Sequence, residues 1–458
     1  MSTLTELAAF GDKRVGTQAG AKAGDYVFER MHALRLTLVH EESFTFPRFD
    51  LASSSLVMTL DGESASIGYD VLEGSGAGHV EADVVDVLTA RPDDLAGKDV
   101  KGKVVLVAPN AMVPRARQLE NVVRAGAAAM LYLSNAPDNL RQIDTVRSRW
   151  QPLVALPAVT LGAVDGAAIT SALAFGKTVH ATLDVKATTT PGTGRNIVGR
   201  IEGSDPAAGE IVLGAHYDTW FTGSTDNGGG VAALLALASR RLHKERPAAT
   251  ILFVAYDGEE VAHYGGYDFL RRHRIVGKEL ITTVINLETP SANAPTLAAL
   301  ARSNNANLDD ALRSAQLQGP YSRTTQDTPD KVNLPFLADA VDSFDRAIDA
   351  LIAMGPACCS APDPDLWRVD AALRPYAAGA SLFVDATVTD SSGAPQANAA
   401  ADAVLLYDDF FPAAEVHGTT DAAGKITFEI PGEKVALGSG KRYVHVSAGL
   451  VEQVLVGP

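Results

Sequence analysis

Residues 210–260 read EIVLGAHYDTWFTGSTDNGGGVAALLALASRRLHKERPAATILFVAYDGEE. Two apolar runs, EIVLGA and ATILFVAY, flank a glycine-opened segment whose apolar residues recur at helical spacing, so the stretch reads as strand, helix, strand. A further helical segment, GGYDFLRRHR, leads to a third run, LITTVINL. Strands alternating with helices of this length imply crossover connections and a mostly parallel sheet with helices on both faces. The expected fold class is therefore α/β, with a three-layer α/β/α core.

In an open parallel sheet, ligands bind in the crevice beyond the carboxyl ends of the strands. The first run ends in His216-Tyr217-Asp218, the second in Asp257-Gly258-Glu259-Glu260 and the third in Glu288, while Asp226 stands at the turn into Gly228-Gly229-Gly230. One imidazole and several carboxylates converging on one point form a donor set suited to Zn²⁺, Mn²⁺ or Co²⁺. Without a cation, such crowded acids would raise one another's pKa. Of the adjacent pair Glu259 and Glu260, one can bind metal while the other takes a proton from a water. Asp218, two residues past His216, is placed to fix the imidazole tautomer.

Outward from this core, residues from about Leu4 to Leu38 read as helical, with a flexible GTQAGAKAG stretch before Tyr26, Val27, Met31 and Leu34. Strand patterns follow Phe44, and Gly78 to Val185 alternates strand and helix as a unit of its own (KGKVVLVAP, RQLENVVRAGA, AAMLYLS, LPAVTLG). Phe336, Leu337, Val341, Phe344, Ile348, Leu351 and Ile352 trace one face of a helix that closes the core. GPACCSAPDPD opens a proline-rich linker, and short strands with Asp/Gly turns beyond it suggest a small β-sandwich. The expected division is 1–77 with 186–355 as the core, 78–185 as the inserted unit, 356–375 as linker and 376–458 as the sandwich.

A chain of 458 residues fits two to four domains at about 100 to 200 residues each. With 39 basic against 55 acidic residues the net charge is −16, which argues against nucleic acid and anionic membrane surfaces as partners. The only two cysteines, Cys358 and Cys359, are adjacent and cannot staple distant segments. No apolar window is long enough to span a membrane. Met1 to Gly20 shows no basic region followed by an apolar one, so no signal peptide is expected in the chain as written.

HYDT, TDNGGG, FVAYDGEE and VINLE, in that order, resemble the signatures of the M28 family of zinc exopeptidases, the aminopeptidase and glutamate-carboxypeptidase-like peptidases. The resemblance covers roughly Asn196 to Met354. It implies one or two Zn²⁺ ions, with His216 and Glu288 on the first, Glu260 on the second, Asp226 bridging both, and Glu259 as general base. It also implies a peptide or protein substrate. The unit from 78 to 185 resembles the protease-associated (PA) domain, and the tail resembles immunoglobulin-like or carboxypeptidase-regulatory-like modules. The pattern departs from the family at Arg323, which stands where a last histidine ligand is expected, and between Glu288 and Tyr321, where a core segment is missing. Two readings follow. One is a metal-dependent exopeptidase, an aminopeptidase first of all, and the other is a catalytically impaired relative that serves as a binding module.

Overall fold

The computed structural model describes residues 2–110, 115–146, 156–277, 279–290, 320–355, 367–390, 392–407, 412–435, 442–448 and 451–457. Its first eleven strands are β1 (Thr37–Leu60), β2 (Glu63–Ala65), β3 (Tyr69–Val71), β4 (Gly78–Asp86), β5 (Val104–Val107), β6 (Ala129–Leu133), β7 (Ala158–Leu161), β8 (Val179–Ile201), β9 (Glu210–His216), β10 (Thr250–Tyr256) and β11 (Ile281–Asn286). They form one sheet in the order β11-β9-β10-β8-β4-β5-β6-β7-β3, with β1 and β2 branching from β8.

The three apolar runs of the core are its parallel part. β10 lies beside β9 in register from Thr250 opposite Glu210 to Tyr256 opposite His216. β11 flanks β9 on the other side, with Asn286 opposite Gly214. All three strands therefore deliver their following residues to the same edge. Alternation along each strand divides the core. Ile211, Leu213, Ala215, Ile251, Phe253 and Ala255 pack with the helices Gly229–Arg241 and Leu334–Met354, while Val212, Leu252 and Val254 pack with Phe269 on the opposite face. The second of those helices is capped by Asn333, whose side chain accepts the Phe336 N–H at 3.1 Å.

The helical reading of residues from about Leu4 to Leu38 resolves into two helices, the second ending at Ala33. Helices Ser2–Ala9 and Gln18–Ala33 are separated by a turn in which Gly11 and Gly16 both have φ of +74°. The stretch read as flexible is itself helical, capped by Thr17, and it buries Gly20, Ala23 and Gly24. Its glycines serve close packing, since a Cβ at Gly24 would stand 2.9 Å from the Tyr217 hydroxyl. Tyr217 follows His216, so this helix backs the site.

β1 and β8 form a long antiparallel ribbon running from the core into the inserted unit, with Pro47 opposite Pro191. Directly opposed residues alternate between pairs that exchange N–H bonds and pairs that do not, and two facing prolines suit only the second kind. The inserted unit adds the parallel strands β4, β5, β6 and β7. The tail contains β12 (Arg368–Leu373), β13 (Leu382–Thr389), β14 (Ala400–Tyr407), β15 (Pro412–Thr419), β16 (Lys425–Ile430), β17 (Arg442–Ala448) and β18 (Val451–Val456). Its two antiparallel sheets, β12-β13-β16 and β15-β14-β17-β18, share one apolar core around Val384, Leu405, Phe428 and Val444. Residues 368–373, read as linker, are instead a strand paired along β13. Residues 356–366, with Cys358 and Cys359, and residues 291–319 lie outside the described residues. No helix among the described residues is long and apolar enough to cross a membrane.

Candidate metal centre

The strand ends bring His216, Asp226, Glu259, Glu260 and Glu288 together. One ligand atom from each of His216, Asp226 and Glu288 lies within 4.8 Å of the other two. His216 Nε2 is 3.3 Å from Asp226 Oδ1, 3.4 Å from Glu288 Oε1 and 3.8 Å from Glu259 Oε2. Its Nδ1 meets the Asp218 carbonyl oxygen at 2.8 Å, which turns Nε2 toward the carboxylates. The Asp218 carboxylate, fully buried, lies 3.6 Å from the same Nδ1 and has a second task. Its two oxygens accept the N–H groups of Glu259 and Glu260, both at 3.1 Å, and so fix the backbone that carries the paired acids.

Two residues that the sequence reading did not single out hold Asp226 in place. Asp327, buried, accepts the Thr225 N–H and hydroxyl at 2.8 Å each and the Asp226 N–H at 3.0 Å. Burial pushes its carboxyl up to about 6, against those hydrogen bonds. Asn227 ties the Asp226 turn to the end of β11. Its amide donates to the Leu287 carbonyl at 2.9 Å and accepts from the N–H groups of Gly230 at 3.0 Å and Thr289 at 3.1 Å. Leu287 and Thr289 flank Glu288, so one side chain spaces two of the candidate ligands. Polar residues in turns gave no sign in the sequence of which distant segment they would bind.

The electrostatics are those of a site short of positive charge. Burial opposes a charge on His216, yet the carboxylates of Glu288 and Glu259 lift it well above the ordinary imidazole value. Burial likewise raises Glu260 far above the usual carboxylate range, with Arg323 pulling against it and Asp226 and Glu259 adding to it. Glu259 stays ionised: burial works against its charge, but His216 and His263 hold it below its usual range. Its Oε1 pairs with His263 Nδ1 at 2.8 Å. Among the described residues, both oxygens of Asp226, both of Glu260 and Oε2 of Glu259 are buried without a well-aligned hydrogen bond, the nearest cationic groups being His216 and Arg323. Buried carboxylate oxygens of this kind demand a cation.

The first set of donors, His216, Asp226 and Glu288, fits a divalent ion of the zinc class. Around Glu260 the structure differs from what a second ion needs. Arg323 Nε lies 2.8 Å from Glu260 Oε2 and 3.4 Å from Asp226 Oδ2, and among the described residues Glu260 joins no group of three His, Cys, Asp or Glu ligands. His417 is engaged in the tail, with Asp402 at 2.5 Å. Non-glycine residues with positive φ cluster here: Phe221 at 53°, Ala262 at 79°, His263 at 58°, Thr289 at 41° and Arg323 at 60°. Such conformations cost roughly 1–2 kcal/mol each and collect at functional sites.

Fold and site together define a class: an α/β protein with a candidate divalent-cation site at the carboxyl ends of its parallel strands. The sequence model of Peptidase family M28 matches residues 196–365, and that of the PA domain matches residues 75–169. A glutamate carboxypeptidase 2 homolog of Caenorhabditis briggsae is 33% identical over 105 residues, 22% of this chain and 14% of that protein. A vacuolar membrane protease of Lachancea thermotolerans is 34% identical over 131 residues, 28% of this chain and 13% of that protein. The matches thus span about a seventh of the length of these curated relatives. Among solved structures, a peptidase M28 precursor from Shewanella amazonensis superposes with a TM-score of 0.63 at 19% identity, covering 77% of this chain and 92% of that one. BSAP, a zinc aminopeptidase from Bacillus subtilis, gives 0.57 at 20% identity over 76% and 93%. At such identity the likeness is one of fold.

Proposed function

We propose that the chain is a metal-dependent exopeptidase, an aminopeptidase, that hydrolyses a terminal peptide bond with Glu259 as general base. The observation that carries this reading is the gathering of His216, Asp226 and Glu288 beside a buried Glu259 oxygen without a well-aligned hydrogen bond. A zinc ion held by those three residues would supply Lewis-acid polarisation of the scissile carbonyl and acidify the attacking water.

The chain's own groups do the rest. Glu259 keeps Oε1 on His263 and leaves Oε2 facing the His216 side of the cleft, in position to take a proton from water during attack and return it to the leaving amine. Asp218 holds the Glu259 and Glu260 backbone, while Asp327 and Asn227 hold Asp226, so that the base and the ligands keep a fixed spacing. The solved neighbours that are zinc aminopeptidases support a peptide substrate with a free amino end.

A second reading, a binding module without catalysis, is favoured by one observation: a guanidinium lies between Asp226 and Glu260. Hydrolysis of a panel of aminoacyl-nitroanilides and short peptides, followed through chelation and zinc add-back, separates the two. Hydrolysis that disappears with chelator and returns with zinc supports the peptidase. A zinc-loaded chain inert across the panel supports the module.

A further inference from the structure

We propose that the Arg323 guanidinium is a built-in cation standing in for a second metal, so that this chain functions with one bound ion. This rests on the reading of His216, Asp226 and Glu288 as a metal site.

A second ion would share Asp226 with the first and take Glu260 as its own carboxylate. The Arg323 guanidinium already lies against both, at 3.4 Å from Asp226 Oδ2 and 2.8 Å from Glu260 Oε2, and its Nη2 reaches to 4.0 Å from Glu259 Oε2. A guanidinium stays protonated and has no lone pair to give a metal. It can only compete for the carboxylates, and its charge repels a divalent ion placed beside it.

The guanidinium is also held from behind. Arg323 Nη1 donates to Asp144 Oδ2 at 2.8 Å, and Asp144 pairs in turn with Arg115 at 2.7 Å. Both partners lie within the PA-domain match, at residues 75–169. The backbone is fastened to the same segment: the Ile143 N–H donates to the Arg323 carbonyl at 3.1 Å, and the Gln142 amide donates to the Ser322 carbonyl at 3.2 Å. Arg323 adopts φ of +60°, a conformation an L residue keeps only when its surroundings enforce it. The PA segment therefore positions the cation, through Asp144 on the side chain and Ile143 on the main chain. Swinging the guanidinium aside to admit an ion would break its bond to Asp144 and leave that carboxylate with Arg115 alone, while the main-chain bond from Ile143 keeps the Arg323 backbone facing the site.

The test is metal content and metal–metal coupling in the full chain. After saturation and gel filtration, the wild type is expected to retain one zinc per chain by mass spectrometry, and its manganese form to show the EPR spectrum of isolated ions. Arg323→His removes the guanidinium and offers an imidazole in its place, and is expected to retain two ions per chain with a spin-coupled manganese spectrum. Two ions in the wild type would overturn the proposal, as would a single ion in an Arg323→His chain that keeps the wild-type circular dichroism. The wild-type stoichiometry decides alone if that variant does not fold. A wild type without any ion would instead refute the metal reading of His216, Asp226 and Glu288, and the proposal with it.

Discussion

Removal of the Asp327 carboxylate is expected to weaken metal binding from a position that touches no metal. In Asp327→Ala the Thr225 N–H, the Thr225 hydroxyl and the Asp226 N–H lose their acceptor in a buried setting. Each buried donor left unpaired costs about 1–3 kcal/mol, and the low end applies because the vacated space admits water, giving about 3 kcal/mol in all. The loss falls on the turn that carries Asp226, so zinc affinity should drop about 10- to 100-fold, the usual effect of removing a group that orients a ligand. Asp327→Asn separates the two consequences. Thr225 uses Oδ1 for both of its bonds whereas Asp226 uses Oδ2, so an amide with its oxygen in the Oδ1 position keeps the Thr225 pair and sets an NH₂ against the Asp226 N–H. Its stability loss should be the smaller, while its metal affinity still falls. Urea unfolding gives the first quantity and competition with a chromogenic chelator the second. An Asp327→Ala chain that loses stability yet binds zinc within about threefold of wild type would refute the positioning argument.

Three further outcomes are expected. Asn227→Ala breaks three bonds that join the Asp226 turn to the end of β11, and should cost about 2–3 kcal/mol in urea and about tenfold in zinc affinity. Zinc at a hundredfold excess over its Kd should stabilise the fold by about 2.7 kcal/mol and raise Tm by about 3 °C in scanning calorimetry, with chelator reversing the shift. His273, clamped between Glu42 at 2.8 Å and Glu279 at 2.6 Å, has a pKa raised to about 9, burial opposing and Glu42 and then Glu279 raising it. A raised imidazole pKa stabilises fully below the unfolded value near 6.5 and is lost as pH rises through about 9. The Tm gap between wild type and His273→Gln, worth up to about 3 kcal/mol, should therefore narrow across that window. A gap independent of pH would count against the clamp.

What the sequence made legible is what apolar periodicity encodes. The runs ending at His216, Tyr256 and Asn286 specify parallel strands, and topology alone then sends His216, Glu259, Glu260 and Glu288 to one edge. The departure at Arg323 was equally visible as a residue that cannot ligate a metal. Its destination was not, because the partner Asp144 stands 179 residues away on the inserted unit. Asp327 and Asn227 were hidden for the same reason: a polar residue in a turn shows nothing of the segment it will hold. The β1/β8 ribbon was obscured by composition. KATTTPGTG, at residues 186–194, shows no apolar alternation, yet it lies within the ribbon, where Pro191 faces Pro47. The glycines of the second helix misled in the opposite sense, since on a buried face their small size gives close contact rather than flexibility.

The central claim is that Glu259 acts as a base beside an ion held by His216, Asp226 and Glu288. Its most direct test is peptide hydrolysis by zinc-loaded wild type and Glu259→Gln side by side, with zinc content measured on the same samples. The amide keeps the shape of the side chain but cannot take the proton, so activity should fall by about 10²- to 10⁴-fold at unchanged zinc content. Equal activity in the two proteins, at equal zinc, would contradict it.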